Sequence, residues 1–175
     1  MPIVLVRIDD RLIHGQVVVG WAQALRATHI VVINDEIVKN DMQKFLFRMA
    51  TPTDINLSVL SVDEAAEMIK NRAFDADQAI LLAKSPEDIY RLIKAGARIP
   101  EVNIGGMHFG EQKVQLFDAI FVDAKDVEMI EKINGLKVAL EVRMVPTESK
   151  KDVMKAIEEK FYKRKQKDAG KGGQA

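Results

Sequence analysis

Apolar residues in this chain fall into short solid runs, separated by longer stretches where apolar and charged positions recur every three or four residues. Solid runs of four to eight residues, rich in Val, Ile and Leu, read as strands buried on both faces; the longer stretches read as amphipathic helices. The runs cover residues 3–8, 29–33, 56–60, 78–83, 101–104, 119–122 and 138–145. Helices are expected over 17–26, 40–49, 61–72, 85–96, 123–134 and 150–164. Punctuation supports these limits. Thr51 and Pro52 break one helix. Ser61 with Glu64 has capping-box spacing, and Ser85, Pro86, Glu87 and Asp88 give an N-cap, a first-turn proline and acids at the positive end of the dipole. Asp123 caps the next helix, Gly96 stops one at its C-terminus, and Pro146 closes the last strand.

Strand and helix alternating this regularly predict an α/β fold, an open and mainly parallel sheet of about seven strands with helices on both faces. No composition break divides the chain, so one domain is expected over 1–164, followed by a disordered basic tail over 165–175. In such sheets ligands bind beyond the carboxyl ends of the strands, at a switch point. The loops to watch are those after residues 8, 33, 83 and 104.

Composition narrows the chemistry. The 175 residues carry 26 Lys and Arg against 26 Asp and Glu, so the basic footprint of a nucleic-acid binder is missing. There is no cysteine, which removes disulfides, thiolate metal sites and a cysteine nucleophile. No carboxylate and histidine spacing forms a metal site. The apolar start of the chain meets charge at Arg7, Asp9 and Asp10, too soon for a signal peptide or a span.

The loop after the first strand is the informative one. Asp9, Asp10, Arg11, His14, Gly15 and Gln16 crowd between a strand and a helix. Gly15 and Gln16 sit in the first helical turn, where free backbone N–H groups and the dipole favour an anion. Arg11 can fork two phosphate oxygens. Asp10 or Asp9 can hold the arginine, or hold one imidazole nitrogen so that the other is free to attack. Gly15 leaves room beside His14 for a bulky group. These parts suit a phosphoryl group carried on His14, whose neutral imidazole is the nucleophile near pH 7. The plain alternative, a loop histidine that only bonds a neighbour and caps the helix, stays open on these residues alone.

The segment RIDDRLIHGQVVVGW (7–21) closely resembles the active-site segment of the IIB components of the mannose, fructose and sorbose class of the phosphoenolpyruvate-dependent sugar phosphotransferase system. VVINDE (31–36), the helix start at 85–88, VNIGGM (102–107) and ALEVRMVP (139–146) resemble the same family, in the same order. The resemblance implies an open parallel sheet with one antiparallel strand, the last. It implies a protein-phosphohistidine–sugar phosphotransferase: His14 takes a phosphoryl group on Nδ1 from a phosphohistidine Nε2 of a IIA partner, and the group passes to a sugar bound by the membrane IIC and IID components. Carried over by position, His14 is the carrier, Arg11 the clamp and Asp10 a loop support, while Gly15 and Gln16 offer backbone donors. No cofactor, metal or nucleic acid is implied. The expected location is cytoplasmic, at the membrane permease, as a free-standing IIB.

Other residues weigh less. Lys84, after the fourth strand, is a weaker phosphoryl contact; Ser85 is already explained as a cap. His108 in GGMHFG is the one rival carrier, His29 begins a strand away from the site, and Trp21 reads as core. Asn34 and Asp35 read as helix caps near the site. Arg7, in an apolar strand, needs a partner, most simply Asp9 or Asp10. The competing function is a docking or nucleotide-binding module of similar fold. It lacks its sign, a glycine-rich strand-to-helix turn.

Overall fold

The computed structural model describes residues 3–164, so the tail from 165 lies outside the described residues. Strands β1 (Ile3–Asp9), β2 (His29–Ile33), β3 (Asn56–Leu60), β4 (Ala79–Ala83), β5 (Glu101–Gly106) and β8 (Ala139–Val142) form one sheet in the order β3-β2-β4-β1-β5-β8. Every neighbouring pair in it is parallel. Strands β6 (Val114–Phe117) and β7 (Ile120–Val122) form a separate antiparallel ribbon.

Two expectations are corrected here. The last strand is not antiparallel: β8 runs parallel to β5, with Val102 beside Leu140 and Ile104 beside Val142. The helix Ala124–Gly135 between the ribbon and β8 carries the chain back to the starting end of the sheet, and a helical crossover of that kind delivers a parallel strand. The second correction is the strand count. The run at 119–122 belongs to the ribbon, so the sheet has six strands. Its partner β6 escaped the pattern because it is only four residues long and Gln115 interrupts its apolar residues.

Helices cover both faces, and side-chain alternation along each strand decides what they meet. Val6 and Ile8 of β1 join Val31, Ile33, Leu81 and Ala83 in one core, under the helices Val62–Lys70, Pro86–Lys94, Ala124–Gly135 and the C-terminal helix. Leu5 joins Ile30, Val32, Ile80 and Leu82 in the other core, under Val17 and Trp21 of the first helix and Phe47 of the helix Asp41–Ala50. With a period of two, Arg7 and Asp9 follow Leu5 onto the face of the first helix. The helix starts follow the sequence. Ser61 and Asp123 close capping boxes with Glu64 and Asp126, Ser85 accepts the Asp88 N–H at 3.2 Å, and Gly96 ends its helix at φ 101°.

The first helix departs from expectation. Its segment Gln16–Ala22 is wound as a π-helix, a form that occurs at functional sites. The strand ends on either side of it are level. Ile8 stands beside Ala83 and Ile104, and Ala83 beside Ile33. Helices after β1 and after β4 leave toward opposite faces, so the switch point lies between those two strands, at Asp9 and Lys84.

Beside β1 the ladder slips by one residue. Ile8 pairs with Ile104 but Asp9 pairs with Gly106, leaving Gly105 as a bulge. The cause is steric. A Cβ on Gly105 would lie 1.7 Å from Cζ of the fully buried Arg7. Gly15 has a helical backbone (φ −52°, ψ −42°) and open space where a Cβ would go. Gly105→Ala is therefore expected to cost at least about 3 kcal/mol of folding free energy by overpacking. Gly15→Ala is expected to be neutral or to add about 0.4–1 kcal/mol by restricting the unfolded chain. Urea denaturation of both variants checks the contrast; equal losses would mean that backbone freedom, not the Arg7 contact, keeps Gly105.

Candidate active site

Asp9 ends β1 with a side chain wholly out of solvent. Its Oδ2 accepts from Arg7 Nη2 at 2.8 Å, Arg7 Nε at 3.2 Å, Arg11 Nη2 at 3.0 Å and His14 Nε2 at 3.0 Å. Its Oδ1 accepts from Arg11 Nε at 3.0 Å and from the Arg11 backbone N–H at 3.3 Å. Burial pushes this carboxyl up, but hydrogen bonds from His14 and Arg11 and the charge of Arg7 outweigh it and hold Asp9 well below the usual carboxylate range. Asp9 is thus an anion that faces two guanidinium groups, and one positive charge remains in excess.

The chain turns sharply after it. The Leu12 N–H donates to the Asp9 carbonyl at 2.9 Å. Leu12 sits in the left-handed region at φ 57° with its side chain buried. A leucine there costs about 1–2 kcal/mol, which its burial and that of Ile13 offset. The turn brings His14 back over Asp9. Because an ionised carboxylate only accepts, the neutral His14 ring in this contact carries its proton on Nε2 and has its lone pair on Nδ1. The His14 side chain is 18 % exposed. The His14 carbonyl accepts from the N–H groups of Val17 and Val18, both at 3.0 Å, so the histidine starts the first helix.

Arg11 lies with its Nε and Nη2 edge on Asp9 and also donates to Gln16 Oε1 at 3.1 Å. Gln16 therefore holds Arg11 through its side chain, a contact that the expectation of a backbone donor did not include. Gly15 and Gln16 are exposed in the opening helical turn, where N–H groups have no intrahelical acceptor. Asp10 points elsewhere: its N–H donates to the Gly106 carbonyl at 3.1 Å, and its carboxylate accepts from the N–H and Nδ1 of His108. The choice left open between Asp9 and Asp10 falls to Asp9. Lys84 is exposed, level with Asp9, and not in this hydrogen-bonded cluster. Asn34 caps the turn that follows β2, accepting from Glu36 and Ile37, and Asp35 binds the Val62 N–H and Arg91. His29 bonds Asp77 and Ser58 at the opposite end of the sheet. Among the described residues no group of three or more His, Asp or Glu could hold a metal ion.

Sequence reading missed the layer beneath. Arg7, Asn103 and Glu141 are register partners across β1, β5 and β8, a row of three buried polar residues at one level of the sheet. Arg7 Nη1 donates to Asn103 Oδ1, and Asn103 Nδ2 donates to Glu141 Oε1 at 3.1 Å. Glu141 takes Arg143 in a fork. Both guanidiniums approach the Trp21 ring, Arg7 at 5.4 Å and Arg143 at 5.2 Å, and its indole N–H donates to the Met144 carbonyl. The available signal was one polar residue at matching depth in each of three apolar runs. Gly106 is explained in the same way: a Cβ there would sit 2.8 Å from Asp9 Oδ1 and 3.2 Å from Arg11 Nη2.

Asp9 also fixes an acid limit on stability. Its carboxyl is held below its unfolded value, so its contribution is complete above about pH 4 and is lost as pH falls through the depressed folded value. Asp9→Asn is expected to cost about 3–5 kcal/mol, because Arg7 loses its buried counterion, and to flatten the acid limb of stability against pH. Acid limbs that coincide in urea titrations of wild type and variant would count against Asp9 as the hub.

Comparison with known proteins extends these observations. Residues 3–168 match the family described as PTS system sorbose subfamily IIB component. A sorbose-specific EIIB component of Lacticaseibacillus casei is 34% identical over 93% of this chain and 99% of its own length. A mannose-specific EIIAB component of Escherichia coli K12 is 37% identical over 90% of this chain, which spans 49% of that longer relative. The crystal structure of the IIBSor domain of the sorbose permease from Klebsiella pneumoniae superposes with a TM-score of 0.84 at 31% identity, covering 91% of this chain and 98% of that domain. A family match over nearly the whole chain, with relatives and a solved fold that agree, makes this protein a member of the sorbose subfamily of IIB components of the phosphoenolpyruvate-dependent phosphotransferase system.

Proposed function

We propose that His14 carries the phosphoryl group, taking it from a phosphohistidine on a IIA partner and giving it to a sugar held by the membrane IIC and IID components. One observation supports this reading above the rest: Asp9 binds Nε2–H of His14, which leaves the Nδ1 lone pair as the nucleophile on a partly exposed ring. In the first transfer Nδ1 attacks phosphorus, the donor's N–P bond breaks, and the donor nitrogen keeps that electron pair. Positive charge grows on the His14 ring as its bond forms, and the buried Asp9 anion stabilises it through Nε2–H. In the second transfer a sugar hydroxyl oxygen attacks phosphorus, the Nδ1–P bond breaks and returns its electron pair to His14, and the hydroxyl proton passes to a base at the sugar site of the membrane components.

The oxygens of the moving group need donors. Arg11 stands beside His14, held on the Asp9 carboxylate and Gln16 so that little freedom is lost when it meets phosphate. The opening N–H groups at Gly15 and Gln16 and the excess charge of the two guanidiniums favour a dianion. Lys84, across the switch point, adds longer-range charge, and its removal is expected to matter less than that of Arg11. An EIIAB relative unites A and B components in one chain, which supports a IIA partner. The relatives carry the names of sorbose, mannose and fructose at 34–37% identity, in keeping with a sugar chosen by the membrane components. Among the described residues no helix is long and apolar enough to cross a membrane. The nucleotide-binding alternative loses its remaining glycine signal, because Gly105 and Gly106 are filled by Arg7, Asp9 and Arg11.

The test is intact mass after incubation with phosphoenolpyruvate, the general phosphotransferase proteins and a charged, cognate IIA. Wild type is expected to gain one acid-labile phosphoryl group and His14→Ala none. No gain on wild type would overturn the carrier reading, and label on the variant would move it to another histidine. Arg11→Ala is expected to slow the transfer on the order of 100-fold while changing IIA affinity less; an unchanged rate removes the clamp role.

A further inference from the structure

We infer that His108 is a positioning residue for phosphoryl transfer, acting through Asp10 on the loop that holds Arg11 and His14. The inference rests on the carrier reading of His14. It starts from the place of Asp10, which stands in the chain between the Asp9 hub and the Arg11 clamp. Any shift of its peptide groups moves both. Its carboxylate accepts twice from one residue 98 positions away: from the His108 backbone N–H at 2.6 Å and from His108 Nδ1 at 2.5 Å. A carboxylate gripped at both oxygens by one residue keeps a single orientation.

The loop needs that grip. Its turn is closed by one backbone hydrogen bond, Leu12 N–H to Asp9 carbonyl, and Leu12 adopts a conformation that leucine disfavours. Burial of Leu12 and Ile13 anchors the loop on the side of the first helix. On the side of β5 the anchors are the Asp10 N–H to the Gly106 carbonyl and the two bonds from His108.

His108 is itself held by the small ribbon, which has no other evident part in the site. Met107 donates to the Ala119 carbonyl and accepts from the Phe121 N–H, both at 2.9 Å, and bridges to Ile120. Phe109 packs edge-on against Phe121, with ring centroids 5.6 Å apart. The residues on either side of His108 are thus pinned to β7, and its N–H is presented to Asp10 by a fixed backbone. The side chain is otherwise open, at 66 % exposure, so its removal leaves no cavity. With Nδ1–H bound to a carboxylate, the proton is placed and Nε2 faces away from the loop partner.

The test is single-turnover phosphoryl transfer from charged IIA, measured against IIA concentration, with the urea midpoint as the folding control. His108→Ala is expected to lower the maximal rate about tenfold through loss of alignment, with the half-saturating IIA concentration unchanged. His108→Asn, whose Nδ2 donor lies near the place of Nδ1, is expected to recover the rate to within about threefold. Asp10→Asn is expected to reproduce the loss, and adding His108→Ala to it to lower the rate by less than about twofold more, as for two residues of one unit. An unchanged rate in His108→Ala, a raised half-saturating concentration at an unchanged maximal rate, or independent losses in the double variant would each overturn the inference. Failure of wild type to accept phosphoryl would instead strike the carrier reading. Amide hydrogen exchange over residues 9–14, expected to quicken in His108→Ala, would still decide the grip.

Discussion

The Asp9 carboxylate has no contact with solvent, and it stays ionised there because two guanidiniums and an imidazole N–H are aimed at it. An isolated charge in that place would be too costly to bury, so the partners are obligatory rather than ornamental. Arg7 reaches Asp9 from below, along the same strand; Arg11 and His14 reach it from above, after the turn. The carboxylate therefore joins the floor of the sheet to the loop that covers it. The orientation of the imidazole, the state of its proton and the lie of Arg11 are consequences of satisfying one anion.

Satisfying Arg7 in turn organises the sheet edge. A guanidinium has five donors and cannot be buried on one carboxylate alone. Asn103 and the carbonyls of Arg143 and Met144 take what Asp9 does not, and Glu141 fixes Asn103 and Arg143. Space for the guanidinium comes from Gly105, and the one-residue slip beside Ile8 follows from it. Trp21 covers the layer from the first helix. The result is a site with a rigid lower side, where Nε2 of His14 is committed, and an upper side of exposed Gly15 and Gln16. That asymmetry suits the carrier role proposed for His14: the ring is held still, and the nitrogen that would react is reachable.

The same face of the sheet has a thinner helical layer than the other. The helix Asp41–Ala50 buries Phe47 but turns Met42, Phe45, Leu46 and Met49 outward, each more than half exposed. Its apolar periodicity says that a face exists. The fold shows that this face is not spent on the core of the chain.

Strands, helices and their caps were readable from the chain because they depend on neighbours in sequence: solid apolar runs, three-to-four spacing, and Ser61, Ser85 and Asp123 with acids three residues on. The cluster of Arg11, His14, Gly15 and Gln16 was readable for the same reason, since one short loop carries it. What the tertiary structure alone decided lies across the chain. Asp9 rather than Asp10 is the hub, because strand alternation places Asp9 on the side of Leu5 and the first helix while Asp10 meets His108. The glycines after Ile104 answer to a side chain nearly a hundred residues earlier. The direction of β8, the ribbon that claims residues 120–122 and the row of Arg7, Asn103 and Glu141 all depend on register between strands. Register is set by how whole layers pack and by which buried charges must find each other, and no local pattern encodes either.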